Sequence, residues 1–292
     1  MQTTISKERP PLDLRDRNIL VVGLARTGVS TARFLKERGA IVAATDILPA
    51  SQIKGIDDLR SNGIEVETGG HSIKRFLNAH LIILSPGVFP DIEPLKEARK
   101  KGVEIISEVE LAFNFIKEPI VAIAGTNGKT TTTTLIGKIL ESGGNKVFVG
   151  GNIGLPLIEY VASNQSADYI VVEVSSFQLE GTRKFRPHIA VLLNISPDHL
   201  DRYASFDEYA AAKFRLFENM EEGDVAIVNF DDTTINSKLK TQNSKPKVIP
   251  FGSRNPPLIP PFSKGDTGGF EGIYYSNGNI VYSFEGAEEF YP

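Results

Sequence analysis

Cysteine is absent from the 292 residues. Disulfides and thiolate metal sites are therefore excluded, and the composition fits a reducing cytoplasm, the expected location. Long apolar runs are missing too. No stretch reaches the roughly 18 to 20 residues a membrane span needs. The N-terminus, MQTTISKERPPLDLRDR, has no apolar core of signal-peptide length. Charge of one sign is also lacking: the formal net charge is −4 and the pI near 5.7. Neither nucleic acid nor an anionic membrane is an expected partner. A phosphate site must then be built locally, from backbone amides and a few placed cations. What is present is ordinary globular material, 41% hydrophobic and 23% charged, enough for two cores.

Two series of alternating strands and helices follow one another. In the first, Asn18–Gly23 is an apolar run suited to a buried parallel strand. A helix is predicted over Gly28–Arg38, with Val29, Ala32, Phe34 and Leu35 inward and Gly39 ending it. Strands are predicted at Ile41–Thr45, Leu81–Leu84 and Val103–Ile106, with a helix at Glu93–Lys101. The second series has strands at Ile120–Ala124, Lys146–Val149, Tyr169–Val174, Ile189–Asn194 and Val225–Asn229, and helices at Lys129–Ser142 and Phe206–Asn219. Both read as doubly wound α/β domains with mainly parallel sheets, residues 1–118 Rossmann-like and 119–292 carrying a P-loop. A Pro/Gly-rich insertion is expected near 253–270, and a β-hairpin over Ile273–Phe284 around Asn277-Gly278.

Gly125-Thr-Asn-Gly-Lys-Thr-Thr131 lies between a buried strand and a helix, the context a phosphate loop requires. Its glycines allow backbone N–H groups close to phosphate oxygens, and the helix N-terminus adds a favourable dipole. Lys129 suits the β- and γ-phosphates of ATP, and the Thr130 hydroxyl suits a Mg²⁺ shell. The spacing departs from the general pattern, since Ile123 holds the first glycine position. The plainer alternative is a glycine-capped turn with a solvated lysine. Gly23-Leu-Ala-Arg-Thr-Gly28 is like a dinucleotide fingerprint, with Ala25 in the middle glycine position and Asp46 where a ribose-binding acid belongs. Here the alternative is a tight turn with only a packing role. Ser85-Pro86-Gly87 would share that sheet edge. Glu173 is a candidate Mg²⁺ ligand, and Asp198 and His199 follow another strand, though a lone Glu or His is more often structural. Lys213 reads as a solvated helix lysine.

Five segments occur in a fixed order: Gly125–Thr130, Gly150-Gly-Asn-Ile-Gly154, Glu173-Val-Ser-Ser-Phe-Gln-Leu-Glu180, Asn194–Tyr203 and Ala212-Lys-Phe-Arg215. Together they resemble the Mur ligases, and Phe177-Gln178-Leu179 with Asp198–Tyr203 is most similar to the D-glutamate-adding branch. The resemblance implies an ATP-dependent ligase of peptidoglycan synthesis. It would join D-glutamate to the carboxylate of UDP-N-acetylmuramoyl-L-alanine through an acyl phosphate, as a monomer. It further implies that Gly125, Thr126, Asn127, Gly128, Lys129, Thr130 and Thr131 hold ATP. Thr130 and Glu173 would hold one Mg²⁺, with His199 and a carbamylated Lys213 supporting a second. Asn152 and Ser175 would lie near the muramoyl group. Leu24, Ala25, Thr27, Gly28, Asp46, Ser85, Pro86 and Gly87 would line a uridine-diphosphate pocket. The His-Asn-x-x-Asn helix and the third domain of the family are not found before Pro292. On that pattern the chain is expected to keep both nucleotide sites with little or no ligase activity alone. The competing expectations are another Mur-type or folylpolyglutamate-type ligase, a non-catalytic nucleotide-binding fragment, and a nicotinamide-dependent oxidoreductase.

Overall fold

The computed structural model describes residues 12–239, 245–253, 272–276, 279–284 and 287–291. Apart from Ser253, the expected Pro/Gly-rich insertion lies outside these residues, as does the Asn277-Gly278 turn. The chain forms two compact units. The first comprises Met1–Lys117 with two later excursions, Leu155–Gln165 and Gly181–Lys184; the second holds the remainder.

The first unit runs β1 (Asn18–Val22), α1 (Arg26–Glu37), β2 (Ile41–Asp46), α2 (Ile56–Ser61), β3 (Glu65–Thr68), α3 (Ile73–Asn78), β4 (Leu81–Leu84), α4 (Glu93–Lys100), β5 (Glu104–Ser107) and α5 (Glu108–Phe113). Its sheet has the order β3-β2-β1-β4-β5, with every pairing parallel. Ile19–Val22 are buried because β1 is central and covered on both faces. Helix α1 buries Val29, Ala32, Phe34 and Leu35, and Gly39 follows its C-cap at φ +82°, a left-handed position that favours glycine.

The second unit begins with β6 (Ile120–Ala124), α6 (Lys129–Ser142) and β7 (Val147–Gly151). Next in the chain, α7 (Leu157–Ser163) falls in the first excursion and belongs to the first unit. The second unit resumes with β8 (Tyr169–Glu173), α8 (Ser176–Glu180), β9 (Ile189–Leu192), α9 (Phe206–Phe214), β10 (Val225–Asn229), α10 (Thr233–Leu239), β11 (Lys247–Gly252), β12 (Gly272–Ser276), β13 (Asn279–Phe284) and β14 (Ala287–Tyr291). The sheet order among the described residues is β14-β13-β12-β11-β10-β9-β6-β8-β7. It is parallel as far as β12, after which β12, β13 and β14 pair antiparallel. Strand β6 is wholly buried, and α6 approaches β7 so closely that a Cβ on Gly137 would lie 2.5 Å from Val149. The helix expected over Phe206–Asn219 stays α-helical only to Phe214. Arg215–Phe217 tightens into a 3₁₀ turn that brings the Phe214 and Phe217 rings to 5.7 Å.

Two buried glutamates of α5 bind both excursions within the first unit. Glu110 accepts hydrogen bonds from the Arg183 and Lys184 amides, each at 2.9 Å. Glu108 accepts from the Ile158 amide at 2.6 Å, at the N-terminus of α7. Burial pushes the Glu108 carboxyl up to about 7; the Ile158 and Leu157 amides oppose this and nearby Glu159 adds to it. The folded carboxyl thus stays protonated where the unfolded one, near 4.5, has ionised. The stability this contributes is full below pH 4.5 and is lost as pH rises towards 7. Glu108→Gln is expected to remove that slope, leaving the variant more stable than the parent at pH 8 by on the order of 2 kcal/mol. Urea unfolding at pH 4.5 and pH 8 checks this, and equal pH slopes for parent and variant would contradict it.

Candidate functional site

On the first unit, the predicted residues meet at the C-terminal ends of the parallel strands. Gly23 leaves β1 at φ +89°, and the Ser85 hydroxyl donates to its carbonyl at 2.8 Å. Gly28 packs α1 against the same carbonyl, with no room for a side chain: a Cβ there would lie 1.8 Å from the Gly23 oxygen. The Asp46 carboxylate is buried and accepts from the Leu24 and Leu48 amides, so it shapes the Leu24–Gly28 turn from the neighbouring strand. Ala25 is the exposed N-cap of α1, and Thr27 sits half-buried in its first turn. Ser85 is buried; Pro86 is half-buried and Gly87 exposed in the following turn.

On the second unit, Gly125 and Gly128 adopt φ +154° and +82°, and Gly128 caps α6. The first amides of that helix have no intrahelical partner and start at Lys129. The Lys129 ammonium donates to the Thr126 carbonyl at 2.8 Å. Thr130, exposed in the first turn of α6, donates its hydroxyl to Glu173 at 2.8 Å, and Thr131 follows it. Glu173 ends β8, which lies between β6 and β7 in the sheet, and is 2% exposed. Its other oxygen accepts from the Asn152 side-chain Nδ2 at 2.8 Å. Both partners are neutral, and no cation pairs with this buried carboxylate among the described residues. A hydroxyl and a carboxylate of this kind fit Mg²⁺, which takes one or two protein oxygens and completes its shell with phosphates and water. Among the described residues no three His, Asp or Glu side chains form a closed metal cage.

Lys213 is not solvated. It lies 2% exposed on α9, and its amine donates to the Gly125 carbonyl at 2.7 Å. Burial and then the charge of Lys129 lower it to about 7, against an opposing pull from Asp198. A lysine so placed carries a substantial neutral fraction at physiological pH. The Tyr209 ring lies 4.7 Å below the Lys213 amine, and its hydroxyl meets the Thr126 hydroxyl at 3.0 Å. His199, at φ +53° and half exposed, faces the other aromatic neighbours: Phe177 at 4.8 Å and Tyr209 at 6.3 Å. Asp198 stands 3.4 Å from its Nε2. Ser175 makes reciprocal bonds with Gln178: its amide and hydroxyl donate to the Gln178 side-chain oxygen, and its hydroxyl accepts from the Gln178 amide.

Sequence reasoning passed over Tyr209 and Asn194. The i, i+4 spacing of Tyr209 and Lys213 was the available signal for the first, since it puts both on one helix face. Asn194 opens the Asn194–Tyr203 segment, but local spacing gives it no role, because its bonds run to a loop 67 residues away.

A phosphate loop between a buried strand and a helix, with a hydroxyl and a buried carboxylate beside it, defines a P-loop α/β protein, here preceded by a Rossmann-like unit. The profile of the Mur ligase middle domain matches residues 123–280, and that of the MurD-like N-terminal domain of Mur ligases matches residues 17–107. The chain belongs to the Mur ligase family. It is 48% identical over 281 residues to the UDP-N-acetylmuramoylalanine–D-glutamate ligase of Geotalea uraniireducens (strain Rf4), covering 96% of this chain and 59% of that protein. The protein of the same name from Citrifermentans bemidjiense is 49% identical over 279 residues, covering 94% and 58%. The chain thus spans less than three-fifths of the length of these relatives. Among solved structures, the UDP-N-acetylmuramate:L-alanyl-gamma-D-glutamyl-meso-diaminopimelate ligase of Neisseria meningitides shares the fold. Its TM-score is 0.56 at 19% identity, covering 94% of this chain and 86% of that one. Among the described residues no helix is long and apolar enough to cross a membrane.

Proposed function

We propose that this chain carries the two nucleotide sites of a ligase that joins D-glutamate to UDP-N-acetylmuramoyl-L-alanine. The observation that carries the reading is the Thr130–Glu173–Asn152 constellation beside the phosphate loop. The names of the relatives supply the substrates. ATP lays its phosphates along Gly125–Thr131, where Lys129 exchanges a carbonyl partner for a phosphate oxygen. Mg²⁺, when bound, neutralises the charge of the transferring phosphoryl group. Thr130 and Glu173 would hold it, and Asn152 fixes the orientation of Glu173.

The muramoyl-alanine carboxylate attacks the γ-phosphorus; an O–P bond forms and ADP departs. The D-glutamate amine then attacks the acyl carbon, losing a proton as phosphate leaves. The chain's share is positioning and charge. Lys213 in its neutral form can add CO₂ and lose a proton, giving an anionic carbamate. With His199 it would hold a second Mg²⁺, and both side chains already flank Tyr209. On the first unit, Leu24–Gly28, Asp46 and Ser85–Gly87 would receive the uridine diphosphate, with Ser175 and Asn152 nearer the sugar. Cytoplasmic location and a monomeric state belong to the same reading.

Calorimetry separates this from a nicotinamide enzyme. One equivalent of UDP-N-acetylmuramoyl-L-alanine is expected to bind, with NADH failing to displace it. Tight NADH binding that UDP displaces only weakly would overturn the assignment.

A further inference from the structure

The phosphate loop is held from one side by a residue outside it. Asn194 follows β9, the strand next to β6. Its side-chain oxygen accepts from the Thr126 amide at 3.1 Å and the Asn127 amide at 2.8 Å. Its side-chain nitrogen donates back to the Asn127 carbonyl at 3.0 Å. The Asn194 backbone carbonyl also accepts from the Thr126 amide at 2.9 Å. Asn194 is itself braced from β10 and the turn after it. Asn229 donates to the Leu193 carbonyl at 2.9 Å, and the Asp232 carboxylate accepts from the Ile195 amide at 2.7 Å. The second Asp232 oxygen accepts from the Thr234 and Ile235 amides at the start of α10.

We propose that Asn194, braced by Asp232, is a positioning residue for the phosphate loop. The proposal rests on the ATP reading of that loop. By occupying the Thr126 and Asn127 amides sideways, Asn194 leaves the amides from Gly128 onward, at the mouth of α6, to face the phosphates. The amide side chain accepts through its oxygen and donates through its nitrogen here at once. A carboxylate would meet the Asn127 carbonyl with two acceptors in contact, and alanine would free the Asn127 amide and carbonyl, leaving the Asn194 backbone carbonyl on the Thr126 amide. The left-handed Gly125 and Gly128 give the loop many alternative shapes once released, so affinity for phosphate falls by the fraction of time the binding shape is lost.

The test uses this chain and two probes, Mg·ATP and Mg·tripolyphosphate, the second free of any adenine contact. Asn194→Ala is expected to weaken both about tenfold or more while the far-ultraviolet spectrum and unfolding midpoint stay near the parent's. Asp232→Ala should weaken both less, and Asp232→Asn, which keeps one of the two acceptor oxygens for the amides that Asp232 now serves, should recover part of that loss. Such rescue would not follow from a general loss of packing. Binding by Asn194→Ala within twofold of the parent overturns the proposal. Where that variant fails to fold, equal affinities for Asp232→Ala and Asp232→Asn overturn it instead. Lys129→Ala is measured alongside. Loss of affinity in Lys129→Ala without loss in Asn194→Ala removes this proposal alone; no binding by the parent removes the ATP reading with it.

Discussion

Replacing Lys129 by alanine is expected to weaken Mg·ATP binding by roughly 10- to 100-fold and to leave UDP-precursor binding unchanged. The Lys129 ammonium rests on the Thr126 carbonyl, a neutral acceptor, at the mouth of α6. A polyphosphate offers it an anionic acceptor instead, and charge-assisted bonds contribute about 1.5 to 3 kcal/mol. Lys213 does not substitute for it. Its amine is buried on the Gly125 carbonyl and sits near neutrality at physiological pH, so it offers little charge to a nucleotide. The residues proposed for UDP belong to the first unit, which is why their ligand should not respond. Titration of parent and variant with each ligand measures both arms. Unaltered Mg·ATP affinity, or an equal loss for both ligands, would contradict the assignment of the loop.

Gly28→Ala is expected to destabilise the first unit by about 3 kcal/mol or more and to abolish UDP-precursor binding. The added Cβ would lie 1.8 Å from the Gly23 oxygen and 2.9 Å from its carbon, both backbone atoms. Backbone cannot swing aside as a flexible side chain can, so the Gly23–Gly28 turn must open. Opening it also breaks the Ser85–Gly23 bond and shifts Leu24 off Asp46. Gly70→Ala, where a Cβ meets nothing within 4 Å, is the matched control and should stay within about 0.5 kcal/mol of the parent. Thermal unfolding with and without Mg·ATP distinguishes the two units, since the nucleotide should still protect the second. A Gly28→Ala protein as stable as the Gly70→Ala control would show that the turn is not built as described.

The central strands were legible because burial on both faces writes an uninterrupted apolar run. Asn18–Val22, Leu81–Leu84 and Ile120–Ala124 stand within a residue of where their composition puts them. Edge elements were not. Strand β3 reads Glu-Val-Glu-Thr, short and half acidic, and carries no apolar run to mark it. Strand β7 extends through Gly150 and Gly151, residues of low strand propensity. Gly151 is required there because a Cβ on it would lie 2.4 Å from the Glu173 carbonyl oxygen. Helix α7 belongs to the first unit through Glu108, a bond across 50 residues that no local pattern announces. At the site, the phosphate loop was readable because its glycines and lysine act through their own spacing. The environment of Lys213 was not, since it is set by burial against Gly125, 88 residues away. Asp46 stands where a ribose-binding acid was expected, and its oxygens engage the Leu24 and Leu48 amides.

The most direct test of a phosphate-and-cation site at Thr130 and Glu173 is the Mg²⁺ dependence of ATP binding, measured by calorimetry in the parent and in Glu173→Gln. Mg²⁺ should raise the affinity of the parent about tenfold or more, and that of Glu173→Gln less than twofold. The same Mg²⁺ enhancement in both proteins, or no ATP binding by the parent, would contradict it.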